Sequence, residues 1–455
     1  METCDRALVL GLGVSGESAA LLLLDEGSRV TVVDAADNPG LRSKAEAVSA
    51  RGAKVLIGTE RLPAGEFDIC VLSPGIASDS DWVREIGKRG TKIVSELQLG
   101  WARCGSPTVA VTGSNGKSTF VKLCVESLQN AGRRAVGAGN YGLPLSAVAR
   151  KKENETDWIV AEVSSFQMEK TGQFKPRVGV LLNIQADHLD RHGGEEVYAG
   201  LKRKMFRQMG SGDTAVVPVE EKEAVKRTGS GAEQWATFGI SERADFRYRK
   251  GAIEIRNKWS GVTGTDMVPV NAGVFDNEVF GPGYAAVVAA VCACGERIRN
   301  VASAAEKFTA LPHRRQDAGE TGGVRFVDDS KATNLSAMEA SLKAESGNAT
   351  RLIAGGLLKG QNPDGVTELL SRTVKKVYLI GTSAPAMEAA WGRSVPCRRC
   401  ADLDEAVKTA YSEAEKGETV LLAPGCASFD EFSGFEERGD EFEKIVKEIS
   451  EGKHN

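Results

Sequence analysis

From Thr112 to Thr119 the chain reads Thr-Gly-Ser-Asn-Gly-Lys-Ser-Thr, directly after an apolar run. A phosphate site needs glycines so that backbone N–H groups converge on the anion, a lysine for the outer phosphates and a hydroxyl for magnesium. Gly113, Gly116, Lys117 and Ser118 supply all of these. A helix entered at this point adds free N–H groups and a favourable dipole. The general pattern has a longer spacer between its glycines, whereas only Ser114 and Asn115 stand here. The chemistry expected is that of an ATP-using enzyme.

Gly11-Leu-Gly13-Val-Ser-Gly16, with Asp34 closing the next strand, is a second glycine motif. Taken alone it is a dinucleotide fingerprint. The same geometry cradles the pyrophosphate of a nucleotide sugar, or simply lets a strand and helix pack closely. Glu162, in Glu-Val-Ser-Ser-Phe-Gln167, ends a candidate strand, where a carboxylate is placed to reach the magnesium of a phosphate loop. His188, in Asn183-Ile-Gln-Ala-Asp-His188-Leu-Asp-Arg191, is one of four histidines and by itself reads as structural. Lys202-Arg-Lys204 by itself reads as a solvated face. Lys331 and Thr333, in Asp328-Asp-Ser-Lys-Ala-Thr-Asn334, suit a carboxylate or phosphate. Ala423-Pro-Gly-Cys-Ala-Ser428-Phe-Asp430 reads as a loop with a function.

Alternating strands and helices must position these groups. Arg6 to Leu10, Arg29 to Val33, Lys54 to Ile57, Ile69 to Leu72 and Lys92 to Val94 read as strands of a parallel, doubly wound sheet. Thr108 to Val111, Trp158 to Val163 and Val178 to Asn183 are expected strands of a second unit, with helices over 119–130 and 195–209. The stretch from Glu220 to Pro269 reads as a small antiparallel edge or insertion. A third α/β unit has strands at Gly323 to Val327, Arg351 to Ala354, Lys376 to Ile380 and Thr419 to Leu422. At ~150 residues per domain, 455 residues suggest about three domains. The boundaries expected are 1–97, 98–312 and 313–455.

Composition excludes some classes. With 41 % apolar and 26 % charged residues the chain is an ordinary globular one. A net charge of −4 implies no basic face, so no nucleic-acid partner is expected. No apolar run approaches the ~20 residues of a membrane span, and the start at Met1 lacks the pattern of a secretory leader. The nine cysteines form no metal-ligand pattern, and reduced thiols in the cytoplasm are expected.

In this order, the motifs resemble the Mur ligase family, in particular its D-glutamate-adding branch, from Gly11 to Phe435. The short Thr-Gly-x-Asn-Gly-Lys loop is that family's own form. Glu162 to Gln167, Leu311-Pro-His-Arg314, Asp329 to Asn334 and Cys426 to Phe432 are similar to the branch, as are Gly11 to Gly16 and Ser73-Pro-Gly-Ile76. The resemblance implies a Rossmann-like N-terminal domain, a central P-loop NTPase-like domain that binds ATP, and a Rossmann-like C-terminal domain. It implies ATP and Mg2+ as cofactors, with UDP-N-acetylmuramoyl-L-alanine and D-glutamate as substrates. A cytoplasmic monomer is expected.

By the same resemblance, Gly113, Ser114, Asn115, Gly116, Lys117, Ser118 and Thr119 hold the nucleotide's phosphates. Ser118 and Glu162 ligate one magnesium and His188 a second. Lys202, in a Tyr198-x-x-x-Lys202 pattern, is carbamylated in the family, which turns a cation into an oxygen ligand for that second metal. Asn277, Arg314 and Asp329 contact ATP. Val14, Ser15, Asp34 and Ser73 hold the uridine nucleotide, Asn140 contacts the muramyl substrate, and Ser164 and Gln167 are further substrate-binding residues. Lys331, Thr333, Lys359, Ser428 and Phe435 place D-glutamate. Relatives carry a His and a second Asn where Gly273 to Phe280 has Asp276 and Phe280. The other readings are an L-alanine-adding relative, an NAD-dependent oxidoreductase built on Gly11 to Gly16, and a nucleotide switch without catalysis.

Overall fold

The computed structural model describes residues 4–151, 155–256, 265–270, 275–345 and 349–452. Its first sheet has five parallel strands, β1 (Arg6–Leu10), β2 (Arg29–Val33), β3 (Lys54–Leu56), β4 (Ile69–Leu72) and β5 (Lys92–Ser95), in the order β3-β2-β1-β4-β5. Ala7, Leu8, Val9 and Leu10 are fully buried, as a parallel strand covered on both faces demands. The strand order reverses at β1, and such a switch point opens a ligand crevice at the carboxyl ends of the strands. Gly11 to Gly16 follow β1 directly, and the helix Val14–Asp25 begins within them.

The second sheet has nine strands. They are β6 (Thr108–Thr112), β7 (Ala135–Gly139), β8 (Trp158–Glu162), β9 (Val178–Leu181), β10 (Thr214–Pro218), β11 (Gln234–Gly239), β12 (Phe246–Arg249), β13 (Ala252–Arg256) and β14 (Thr265–Pro269). Their order is β14-β13-β12-β11-β10-β9-β6-β8-β7. All neighbours from β7 to β12 are parallel, and only β12-β13-β14 are antiparallel. The expected edge is therefore real but smaller than 220–269. Within that stretch β11 extends the central parallel sheet instead, beside β10, and the polar loops around these two strands hid short apolar cores, Ala215 to Val217 and Ala236 to Phe238. The helix expected over 195–209 stops at Arg203 and ends in a 3-10 turn, Lys204–Phe206.

The third sheet contains β15 (Gln316–Thr321), β16 (Val324–Asp328), β17 (Thr350–Gly355), β18 (Val374–Ile380), β19 (Cys397–Arg399) and β20 (Thr419–Leu422), in the order β15-β16-β20-β17-β18-β19. Only β15 runs antiparallel. β15 and β19 escaped the sequence reading because each is an edge strand with few apolar residues.

The chain groups into two compact units. One comprises Met1–Asn183 with Ala199–Lys307, and so holds the first two sheets. The other comprises Ile184–Tyr198 with Phe308–Asn455, and holds the third. Among the described residues no helix is long and apolar enough to cross a membrane. The apolar helix Gly281–Ala293 is a buried core element, with Tyr284 and Ala285 to Val291 at most 1 % exposed.

Candidate active site

In the first unit, strand order explains the site. β6 lies between β8 and β9, and β7 flanks β8, so the carboxyl ends of four strands meet. They carry, respectively, the Gly113 loop, Glu162, Asn183 and Asn140. Gly116 has φ +84° and caps the helix Lys117–Asn130, a left-handed conformation that glycine adopts without strain. Asn183 clamps the loop: its side-chain oxygen accepts from the N–H of Ser114 (3.0 Å) and Asn115 (2.9 Å), and its amide donates to the Asn115 carbonyl (3.2 Å). Sequence reasoning gave Asn183 no role. The signal was available, since it stands just past the apolar run of a strand that pairs with β6.

Lys117 folds back over the loop, donating to the carbonyls of Gly113 and Ser114, both at 2.7 Å. Glu162 is only 2 % exposed. One of its oxygens accepts from the Ser118 hydroxyl and the other from the Asn140 amide, each at 2.7 Å. The Asn140 turn is built for this approach, because a Cβ on Gly139 would lie 2.2 Å from the Glu162 carbonyl. Lys202, read by itself as a solvated face, is 1 % exposed and donates to the Gly113 carbonyl at 2.8 Å. Its aliphatic stem is packed in the core, while its nitrogen reaches the phosphate loop. Thr119 lies on the first turn of the helix, half-buried.

Other candidates in this unit take structural partners. Ser164 and Gln167 form a reciprocal capping box at the start of the helix Ser165–Glu169. Asn277 accepts from the N–H of Val279 and Phe280 just before the helix Gly281–Ala293. Asp276 accepts from the Tyr248 hydroxyl at 3.0 Å. Gly273 and Val274 lie outside the described residues.

At the first sheet, the two glycine readings separate by position. A Cβ on Gly16 would sit 1.8 Å from the Gly11 carbonyl, so Gly16 serves strand–helix packing. Gly13 would meet nothing within 4 Å, which leaves its surface open to a ligand. Ser73 donates to the Gly11 carbonyl (2.9 Å), and Asp34 accepts from the Leu12 N–H (2.7 Å). Val14 is 64 % exposed beside Ser15 at the helix start.

In the second unit, the loops after β16, β17 and β20 gather the remaining candidates. Lys331 places its ammonium 3.6 Å from the centre of the Phe435 ring, a close cation–π pair. Buried Arg438 ties two of these loops together by donating to the Ser330 carbonyl (2.8 Å) and the Cys426 carbonyl (3.2 Å). The Leu357 and Ala427 backbones exchange hydrogen bonds, which sets the Lys359 loop beside that of buried Ser428. Thr333 follows Lys331 in a tight turn, its N–H bonded to the Lys331 carbonyl. His188 adopts φ +53° and donates its N–H to Asp187. Asp187 also accepts from Asn334 (2.9 Å) and pairs with Lys359 (3.5 Å). Four of the five described non-glycine residues with positive φ, His188, His313, Arg315 and Lys359, belong to this unit. Such strain concentrates where function over-determines the backbone.

Burial pushes the Asp329 carboxyl up to about 6, against the Ser341 hydrogen bond and the charges of Arg315 and Arg314. A raised acid pKa favours the protonated folded form. Its contribution to stability is full below about 3.9 and is lost as pH rises through about 6, at most about 3 kcal/mol. Asp329→Asn should therefore gain stability relative to wild type at pH 7.5 but not at pH 3.5. Urea unfolding of the ligand-free proteins at both values measures this, and an equal difference at both would contradict it.

Three family models match the chain: "Mur ligase MurD-like, N-terminal domain" over residues 5–95, "Mur ligase middle domain" over 111–294 and "Mur ligase, glutamate ligase domain" over 313–426. The UDP-N-acetylmuramoylalanine--D-glutamate ligase of Koribacter versatilis is 34 % identical, covering 98 % of both chains. The ligase of the same name from Pelotomaculum thermopropionicum is 35 % identical, covering 99 % of both. Among solved structures, the MurF ligase of Thermotoga maritima in complex with ADP shares the fold, with a TM-score of 0.62, 18 % identity and coverage of 98 % and 99 %.

Proposed function

We propose that this chain, which belongs to the Mur ligase family, is an ATP-dependent ligase that adds D-glutamate to UDP-N-acetylmuramoyl-L-alanine in peptidoglycan precursor synthesis. One observation carries the reading. The phosphate loop has Glu162 and Lys202 against it, in a chain that matches D-glutamate ligases over nearly its whole length. An oxidoreductase would leave this loop unused, and the similarity to D-glutamate ligases favours D-glutamate over L-alanine.

The reaction has two parts. The terminal carboxylate of the muramyl substrate attacks the γ-phosphorus of ATP, giving an acyl phosphate and ADP. The D-glutamate amine then attacks the acyl carbon, the C–O bond to phosphate breaks, and the amine loses a proton. A free carboxylate resists nucleophiles, so activation must come first. Because the reactants are anions, positioning and charge neutralisation supply most of the catalysis.

The residues divide this work. Loop N–H groups from Gly113 to Thr119 and the Lys117 ammonium receive the phosphates. A hydroxyl and a buried carboxylate in contact are hard oxygen donors that suit a divalent cation, so Ser118 and Glu162 would hold one Mg2+. Lys202, as its carbamate, would offer oxygens to a second, and His188 is a metal ligand by the family resemblance. Bound there, the cations would neutralise charge on the phosphoryl oxygens.

Val14, Ser15, Asp34 and Ser73 would seat the uridine nucleotide and Asn140 the muramyl part. Ser164 and Gln167 would support it through their helix cap. Asn277, Arg314 and Asp329 would contact ATP. Lys331 and Lys359 would neutralise the D-glutamate carboxylates, with Thr333, Ser428 and Phe435 shaping the pocket. The reading assigns residues 1–97, 98–312 and 313–455 to uridine-nucleotide, ATP and amino-acid domains. It has the enzyme act in the cytoplasm as a monomer.

Phosphate release with ATP, UDP-N-acetylmuramoyl-L-alanine and a panel of amino acids tests the proposal. Release is expected with D-glutamate. Release with L-alanine or a diamino acid, and none with D-glutamate, would sink it.

A further inference from the structure

Glu96 is a carboxylic acid that the proposed chemistry does not use, and it is 1 % exposed. It opens the helix Glu96–Trp101, which packs against the helices Val14–Asp25 and Leu145–Ala149 within one compact unit. One of its oxygens accepts from both the N–H (2.7 Å) and the hydroxyl (2.6 Å) of Ser146. The Ser146 hydroxyl is in turn hydrogen-bonded to that of Ser18, 2.9 Å away. All three side chains are buried, and the other Glu96 oxygen is buried without a hydrogen-bond partner among the described residues. A buried oxygen without a partner forfeits the hydrogen bonds that water would give it, so the position is not one that packing alone would fill with a carboxyl group.

The three elements so tied lead to the two ends of one substrate. The helix Val14–Asp25 starts at Gly13, where the uridine nucleotide would sit. The helix Leu145–Ala149 follows the turn bearing Asn140, which is fastened to Glu162 through its N–H (2.9 Å) and its amide. The Gly139 N–H donates to the Leu143 carbonyl (2.8 Å), so the turn moves with the helix after it. At Gly100 there is no slack, because a Cβ there would lie 2.3 Å from the Ser146 nitrogen.

We propose that Glu96, through Ser146 and Ser18, is a positioning residue that fixes the span between the uridine-nucleotide subsite and the muramyl subsite, so that the linked substrate is selected by its length as well as by its ends. This rests on the functional reading above. Burial raises the Glu96 carboxyl above its ordinary value, and a glutamine at this position would keep an oxygen acceptor for both Ser146 bonds.

Ser146→Ala removes the hydroxyl shared with Glu96 and Ser18 but keeps the backbone N–H bond. It should raise KM for UDP-N-acetylmuramoyl-L-alanine about 10-fold, a misplacement effect felt only by a ligand that touches both ends. KM for ATP and D-glutamate, and the Kd of UDP alone, should stay within about twofold of wild type. Glu96→Ala should act in the same direction and Glu96→Gln should recover most of the loss. Steady-state kinetics with UDP titration calorimetry reads all of these. An unchanged substrate KM in Ser146→Ala, or an equal loss of affinity for UDP alone, would overturn the proposal. If Glu96→Ala fails to fold, Ser146→Ala and Glu96→Gln still decide it. Wild-type protein that releases no phosphate with D-glutamate would refute the functional reading instead.

Discussion

Lys202→Ala should lower kcat by about 100-fold or more, a barrier increase of about 2.7 kcal/mol, while the Kd for ATP moves by less than about threefold. A lysine at the core of a protein is costly unless its nitrogen has a task. Here the stem is fully packed and the nitrogen ends on the Gly113 carbonyl, at the start of the phosphate loop. Once the ammonium gives up a proton, addition of carbon dioxide to the amine, with release of a second proton, would give an N-carboxylate, an oxygen donor suited to a hard cation. ATP affinity should survive because the loop's N–H groups, Lys117 and the Asn183 clamp remain. Single-turnover kinetics beside nucleotide titration separates the two effects. Wild-type activity should also fall in buffer stripped of bicarbonate and recover on its return. A mutant with wild-type turnover would remove the carbamate assignment altogether.

The second large effect is expected at Glu162. Glu162→Gln keeps the shape, so folding should be preserved, with Tm within a few degrees of wild type. The Asn140 amide needs an acceptor, which forces the new carbonyl oxygen toward it and the new –NH2 toward Ser118. The variant thus presents a donor where an anionic oxygen stood beside the loop hydroxyl. We expect kcat to fall by about 1,000-fold, on the scale of losing one preorganised electrostatic group, and the magnesium requirement to shift to higher concentration. Binding of ATP without magnesium should be unchanged. A kcat within about threefold of wild type at saturating magnesium would refute the role given to this carboxylate.

These residues show how far a linear chain can be read. The Gly113 loop was legible because a phosphate site draws its parts from one short segment. The strands β1 to β6, β8, β9, β16 to β18 and β20 were legible too, because each centres on a short run rich in apolar and β-branched residues. The weaker signals belonged to segments whose partners lie elsewhere. β10 and β11 sit among polar loops, and only the assembled sheet places β10 beside β9 and β11 between β10 and β12. Lys202 looks like part of a basic face, and only the fold encloses it. Ser164 and Gln167 matched a motif, while the fold shows the cap they form.

By itself, then, the sequence determined the chemistry: a phosphate loop, a carboxylate after a strand, and an α/β scaffold of three sheets. Local spacing and apolar periodicity suffice for that. The tertiary structure alone decided which of these groups touch. Asn183 holds the loop, Asn140 and Ser118 share Glu162, and Glu96 joins Ser146 and Ser18. The reason is strand order. Neighbours in a doubly wound sheet are set by crossovers, so residues far apart in the chain become hydrogen-bond partners only when the sheet is assembled.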